Sequence, residues 1–229
     1  MATKIYINPG HSNVDPGAVG YEKERDLNVR TAKFMNEHLL ANYVCETKVT
    51  DGNVNSTSTV AAEANSWGAN LLVSIHNNAG GGDGYEALVY SSKNKELGLI
   101  FEKHVKAAGQ NSRGVKYRPE LNVLRLTNMD AILNEGAFVD NKKDIQDWND
   151  DAELKKLGIA YAEAAAEFLK LEKKVATPAP NPAPANGMYR VFDKDGKQVG
   201  AYSNEANAFN EVKKQLQAGG SAKITLSEK

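Results

Sequence analysis

Four residues carry the chemistry this chain can offer. His11 closes the run Lys4-Ile5-Tyr6-Ile7-Asn8-Pro9-Gly10, His76 closes Asn70-Leu71-Leu72-Val73-Ser74-Ile75, and Glu135 closes Ala131-Ile132-Leu133-Asn134. Each run is short, apolar and β-like, and each stops at a group that can ligate a metal or carry a proton. In an open parallel α/β sheet the carboxyl ends of the strands form the crevice where ligands bind, so the three residues are expected to converge. Adding Glu24 gives two imidazoles and a carboxylate for Zn2+, with Glu135 left over as the general base for an attacking water. By spacing alone Glu22, two residues away, competes with Glu24 for the third ligand position. Glu86 reads either as a support to the site or as an edge-strand charge. The other two histidines, His38 and His104, fall in helical patterns and read as surface or internally satisfied residues.

The elements that must position these groups alternate along the chain. After the first strand and a Gly/Asp/Pro loop, Asp26 to Ala41 reads as a helix, with Leu27, Thr31, Phe34, Met35 and Leu39 on one face. A strand around Cys45, a polar loop (Asp51 to Thr59) and a helix from Val60 to Trp67 lead into the strand of His76. Tyr85 to Tyr90 reads as an edge strand, Glu96 to Ala108 as a helix, Val123 to Leu126 and Ala131 to Leu133 as short strands, and Ala152 to Leu171 as a closing helix. The pattern predicts an α/β fold, a mostly parallel twisted sheet with helices on both faces.

The stretch Ala176 to Gly187 holds four of the seven prolines, a composition that favours an extended spacer. The expected division is therefore a large domain over 1–173, a Pro/Ala-rich linker over 174–187 and a small α+β domain over 188–229. That last domain reads as a strand (Met188 to Phe192), a turn, an extended run to Tyr202, a helix capped by Ser203 or Asn204 and ended by Gly219-Gly220, and a final strand from Ala222 to Leu226. So small a unit is marginal alone, which makes a homodimer through it an expectation.

Composition narrows the partners. Hydrophobic content of 41%, charged content of 25% and a net charge of −1 suit a soluble globular protein and give no reason to expect nucleic acid. The single cysteine, Cys45, excludes an internal disulfide and a cysteine-rich metal site, and reads as a buried, inert thiol. No apolar run approaches a membrane span, so no membrane insertion is expected. The first residues enter a strand without the basic start and apolar core of a signal peptide, so synthesis in the cytoplasm is the expectation.

Several motifs carry a resemblance. Asn8-Pro9-Gly10-His11-Ser12-Asn13-Val14-Asp15-Pro16-Gly17-Ala18 resembles the opening motif of the zinc-dependent N-acetylmuramoyl-L-alanine amidases of the third amidase family. Glu24-Arg25-Asp26-Leu27-Asn28 resembles the following Glu-Lys-x-x-Asn/Thr segment, in a register that favours Glu24 over Glu22. Trp67 to Asn70 and Ser74-Ile75-His76-Asn77-Asn78-Ala79, then Arg113-Gly114-Val115-Lys116, Val123-Leu124-Arg125 and Glu135 to Asn141, follow in the family's order, over about residues 1 to 171. The resemblance implies zinc held by His11, Glu24 and His76, Glu135 as acid/base, and Asn78 and Arg125 as substrate-binding residues. The implied reaction is hydrolysis of the peptidoglycan amide between N-acetylmuramic acid and L-alanine. Two positions depart from the pattern: Val60 stands where relatives carry arginine, and Asn134 where an apolar residue or threonine is common.

The C-terminal unit more weakly resembles one repeat of the SPOR-type peptidoglycan-binding domain, in Met188-Tyr189-Arg190-Val191 and Val199 to Ala208. Tyr189, Phe192 and Tyr202 are candidates to stack on sugar, with a core role favoured for each. The implied protein is a tethered wall hydrolase, a phage endolysin freed by a holin or an autolysin of a sporulating mother cell. Two rivals are a zinc peptidase cutting within the stem peptide and a catalytically dead wall-binding protein.

Overall fold

The computed structural model describes residues 2–54, 56–174, 187–203, 205–217 and 222–228. It divides into two compact units, Met1–Lys174 and Val175–Lys229. The expected linker falls almost wholly outside the described residues, as do Asn204 and the Gly219-Gly220 helix end.

The first unit is built on a six-stranded sheet in the order β2-β1-β3-β6-β4-β5. Its strands are β1 (Thr3–Pro9), β2 (Cys45–Val49), β3 (Leu71–Asn78), β4 (Tyr85–Val89), β5 (Ser112–Tyr117) and β6 (Asp130–Phe138). All neighbouring strands are parallel except β4 and β6, which run antiparallel. The helices are α1 (Glu24–Asn42), α2 (Thr57–Trp67), α3 (Lys95–Ala107), the single turns α4 (Asn122–Arg125) and α5 (Lys142–Ile145), and α6 (Asp151–Leu169).

Side-chain alternation on the strands separates two cores. Ile5, Ile7, Val73, Ile75 and Ile132 face α1, α3 and α6, where Leu27, Met35, Phe101, Leu157 and Tyr161 meet them. Tyr6, Leu72, Leu88 and Leu133 point the other way, onto Val60 and Ala64 of α2 and Val123 and Leu124 of α4. Helices thus cover both faces, and Val60, one of the two departures, is simply a buried apolar contact of α2. The other, Asn134, is fully buried but satisfied: it accepts from the Tyr85 hydroxyl at 2.7 Å and donates to the Ser74 carbonyl at 3.2 Å.

Three elements differ from the sequence reading. Val123 to Leu126 is not a strand but part of the helical turn α4, with the Arg125 N–H bonded to the Leu121 carbonyl. A four-residue apolar run has no period long enough to tell the two apart. Tyr85 to Val89 is not an edge: all five residues are buried between β6 and β5. The edge on that side is β5, which the polar run Ser112-Arg113-Gly114-Val115-Lys116-Tyr117 concealed. Finally, β6 continues through Glu135 to Phe138, so that acid lies within a strand rather than at its end.

The second unit is an antiparallel sheet in the order β8-β7-β9, from β7 (Gly187–Phe192), β8 (Gln198–Tyr202) and β9 (Lys223–Glu228), with the helix α7 (Glu205–Gln217). Tyr189, Val191 and Ala208 form its core and Tyr202 packs against them, whereas half-buried Phe192 lines a hollow with Lys194, Lys223 and Thr225.

Both histidines outside the candidate site pair with glutamates of α6. His38 Nε2 lies 2.6 Å from Glu163, and His104 Nε2 lies 2.8 Å from Glu167. Glu163 also accepts from the Tyr43 hydroxyl at 2.7 Å, tying α6 to the end of α1. Burial alone would raise the Glu163 carboxyl, but the His38 and Tyr43 hydrogen bonds outweigh it and hold it below the usual range. Its contribution is therefore complete above the unfolded carboxylate pKa of about 4.3 and is lost as pH falls through the lower folded value. Glu163→Ala is expected to cost about 1–3 kcal/mol at neutral pH, by leaving Tyr43 without its acceptor. Thermal unfolding should show a Tm several degrees lower at pH 7, with the gap to the parent narrowing as pH falls below about 4.

Candidate active site

The site forms where β1 and β3 end beside the first turn of α1. Beyond Pro9 the chain passes Gly10 and places His11 at φ +67°, a left-handed conformation uncommon outside glycine, though histidine adopts it more readily than most. The next residues fold back on themselves, Ser12 and Asp15 exchanging backbone hydrogen bonds at 3.2 Å. That return puts the Asp15 carboxylate 3.0 Å from His11 Nδ1, so the imidazole turns its Nε2 inward. Glu24, 4% exposed, meets it there: one carboxylate oxygen is 2.9 Å from His11 Nε2 and the other 2.9 Å from His76 Nδ1. Backbone N–H groups of Ala18 and Asn77 complete the acceptance, at 2.9 and 3.2 Å.

His11, Glu24 and His76 thus offer one ligand atom each, all within 4.8 Å of one another, and could hold a metal ion. Glu22 is not among them; it points instead to Asn149, 3.4 Å away. Burial by itself would raise the Glu24 carboxyl, but hydrogen bonds from both histidines reverse this and set it far below the usual carboxylate range. In turn the Glu24 hydrogen bond lifts His11 to about 9, against burial. The packing leaves no slack. A Cβ on Gly10 would lie 2.2 Å from His76 Cε1, and one on Gly17 2.5 Å from a Glu24 oxygen.

Glu135 sits directly opposite His76 in the β3–β6 ladder and opposite Glu86 in the β6–β4 ladder. One row across three strands therefore carries His76, Glu135 and Glu86 on the same face. The Glu135 Oε2 is buried and makes no hydrogen bond among the described residues. Burial, with the nearby charges of Glu24 and Glu86, pushes its carboxyl up to about 7 despite the histidines. Glu86 is also buried but neutralised: Arg113 Nε at 2.6 Å and Lys116 Nζ at 2.5 Å both reach one of its oxygens. Burial works to raise it, and those two cations keep it lowered.

A cleft of about 590 Å³ opens over this row, with His11, Glu24, His76 and Glu135 on it, Leu88, Val123 and Leu133 as apolar lining, and Arg118 and Glu120 also on its wall. Asn78 lines the cleft and lies 3.4 Å from Glu86. Arg125 does not line it; its guanidinium is exposed and bonded to Asn122. Asp15, Arg113 and Lys116 fall within the resemblance motifs, but the sequence alone gives them no role, although Asp15 stands four residues after His11 and Glu86 is the lone charge in an otherwise apolar run. A larger hollow, about 790 Å³ around Asp144, Asp147 and Trp148, contains no histidine.

Residues 5–167 match the family model described as N-acetylmuramoyl-L-alanine amidase. The chain belongs to that family. Among its amidase relatives, CwlM of Bacillus licheniformis is 32% identical over 90% of this chain and 78% of its own length. The sporulation-specific amidase of Bacillus subtilis is 29% identical over 90% and 77%. The endolysin of Bacillus phage SPP1 is 33% identical over 79% and 71%. In three dimensions the catalytic domain of the amidase CwlV from Bacillus (Paenibacillus) polymyxa superposes with a TM-score of 0.70 and 26% identity, covering 74% of this chain and 99% of that one. The amidase fold is therefore shared over the first unit, and peptidoglycan is the substrate class that goes with the family.

The crowding at Gly10 makes a direct test of the geometry. Gly10→Ala must displace the His76 ring, and misplacement of about 1 Å in such sites costs roughly 10²-fold in rate. Wall hydrolysis by the variant is expected to fall by about that factor, as measured by release of soluble fragments from isolated walls.

Proposed function

We propose that this amidase cleaves the amide between the lactyl group of N-acetylmuramic acid and the L-alanine of the stem peptide, using zinc held by His11, Glu24 and His76. The observation that carries the proposal is the juxtaposition of that three-residue cluster with Glu135, whose Oε2 is buried without a hydrogen bond among the described residues, one strand away on the same cleft. Two imidazoles and a carboxylate are a donor set suited to zinc, and three protein ligands are the number a catalytic zinc uses. When bound, the ion supplies Lewis acidity toward the amide carbonyl and makes water nucleophilic at neutral pH.

The protein's own groups do the rest. Glu135 accepts the proton of the attacking water and returns it to the departing alanine nitrogen. A carboxyl raised to about 7 is matched to taking and giving a proton near neutrality. Asp15, bonded to His11 Nδ1, fixes which imidazole nitrogen faces the cluster. Glu86, held by Arg113 and Lys116, stays charged beside Glu135 without adding a free negative group.

The proposed role is host lysis as an endolysin, supported by the identity to the phage SPP1 protein. Mother-cell lysis by the same reaction is favoured by the longer match to the sporulation amidase. Placing the promoter under late phage or under sporulation control distinguishes the two. The second unit is proposed as the wall-binding tether, which raises the local concentration of the catalytic unit at an insoluble substrate.

Incubation with isolated walls, with and without a chelator, followed by labelling of new N-termini, tests the reaction. Chelator-sensitive appearance of N-terminal alanine is expected. A different N-terminus would place the cut inside the peptide, and wall binding without release would leave only a binding protein. Glu135→Gln is expected to lower hydrolysis by about 10²–10⁴-fold while zinc still binds, and substantial remaining activity would remove Glu135 from the role.

A further inference from the structure

A second hydrogen-bonded assembly lies behind the cluster. Asn28 is fully buried and stands four residues beyond Glu24 on α1, so both side chains leave the helix on one face. Asn28 Nδ2 donates to the carbonyl of Gly10 at 3.3 Å, immediately before His11. Asn28 Oδ1 accepts from Asn77 Nδ2 at 2.9 Å, immediately after His76. The Gly10 carbonyl can only accept, which fixes the orientation of the Asn28 amide. Gly10 is pinned from the other side as well, its N–H donating to the Ile75 carbonyl at 2.8 Å. Asn77 likewise gives its backbone N–H to Glu24 at 3.2 Å. A single turn of α1 therefore grips both histidine-bearing segments and carries the carboxylate between them.

This grip bears on His11 in particular. A left-handed non-glycine residue persists only where its surroundings over-determine it. The Asn28 bond to the preceding carbonyl is one of the few restraints that act on that peptide from outside the loop. Among the described residues, Glu24 itself is the one other buried side chain of α1 that bonds to both segments.

We propose that Asn28 is a positioning residue that sets the separation of His11 and His76 about Glu24, and through it the affinity of the site for its metal ion. The inference rests on the zinc reading above. Removing a group that orients metal ligands typically weakens metal binding by 10–100-fold. Asn28→Ala should therefore raise the Kd for Zn2+ by that factor. Asn77→Ala should do so too, and the double variant should be no weaker than the poorer single one, since both changes break the same chain of bonds.

The measurement is Zn2+ titration of the full chain against a chromophoric chelator, alongside thermal unfolding of the metal-free proteins. Glu163→Ala serves as the comparison, because it lowers Tm at a distance from the cluster. A raised Kd in Asn28→Ala, with an unchanged Kd in Glu163→Ala, supports positioning. A Kd for Asn28→Ala within twofold of the parent overturns it, as does an equal loss in Glu163→Ala or full additivity with Asn77→Ala. The parent protein and His76→Ala are titrated in the same series. If the parent binds no Zn2+, or His76→Ala binds it as well as the parent, the zinc reading itself fails, an outcome distinct from failure at Asn28.

Discussion

The buried carboxylate of Glu24 is the constraint on which the rest of the site depends. Taking an ionised group out of water is costly unless charge and hydrogen bonds replace the lost hydration. Here two imidazoles and two backbone N–H groups do so, each oxygen receiving one of each kind. To supply them, the β1–α1 loop must return over itself to deliver Ala18 and His11, and β3 must run as far as Asn77. None of the three intervening glycines, Gly10, Gly17 and Gly20, has room for a side chain. The first turn of α1 is thus placed by electrostatics as much as by the packing of Leu27 and Met35 beneath it.

The single antiparallel junction of the sheet matters for the same cleft. In a wholly parallel sheet, the residues of neighbouring strands near the site would all come from carboxyl ends. Because β4 runs against β6, its amino-terminal end arrives there, and Glu86, its second residue, joins the row of His76 and Glu135. Two acids side by side repel; the cations of β5 keep Glu86 ionised, and its charge adds to burial in raising Glu135. Glu135, on a cleft with apolar Leu88, Val123 and Leu133 and with its Oε2 unbonded among the described residues, is left as the one poised to exchange a proton. Different environments for adjacent carboxyls separate their roles.

Much of this was legible in the sequence, for identifiable reasons. Strands β1 and β3 and helices α1, α3 and α6 announce themselves because burial on one or both faces leaves long apolar patterns. His11, His76 and Glu135 stand out as polar groups ending or interrupting such runs. What escaped was set by contacts between distant segments. Edge strand β5 is polar because one side meets water, and α4 is a single turn whose apolar pair is strand-like in isolation. The Asn28–Asn77 bond, the cations on Glu86 and the placement of Arg125 away from the cleft depend on register and side-chain direction, which no local pattern encodes. In the sequence only the register of the family resemblance separates Glu24 from Glu22; in the fold Glu24 is the first helical residue and faces inward, whereas Glu22 is still in the loop.

The left-handed backbone at His11 has a consequence for how substitutions there are read. An alanine at that position would forfeit an imidazole and also inherit a conformation that disfavours an ordinary Cβ, by about 1–2 kcal/mol. Asparagine tolerates the same dihedral angles far better, and glycine adopts them freely. Lost ligation and lost loop shape are therefore confounded in a routine alanine scan at this one residue, and separable in the asparagine and glycine forms.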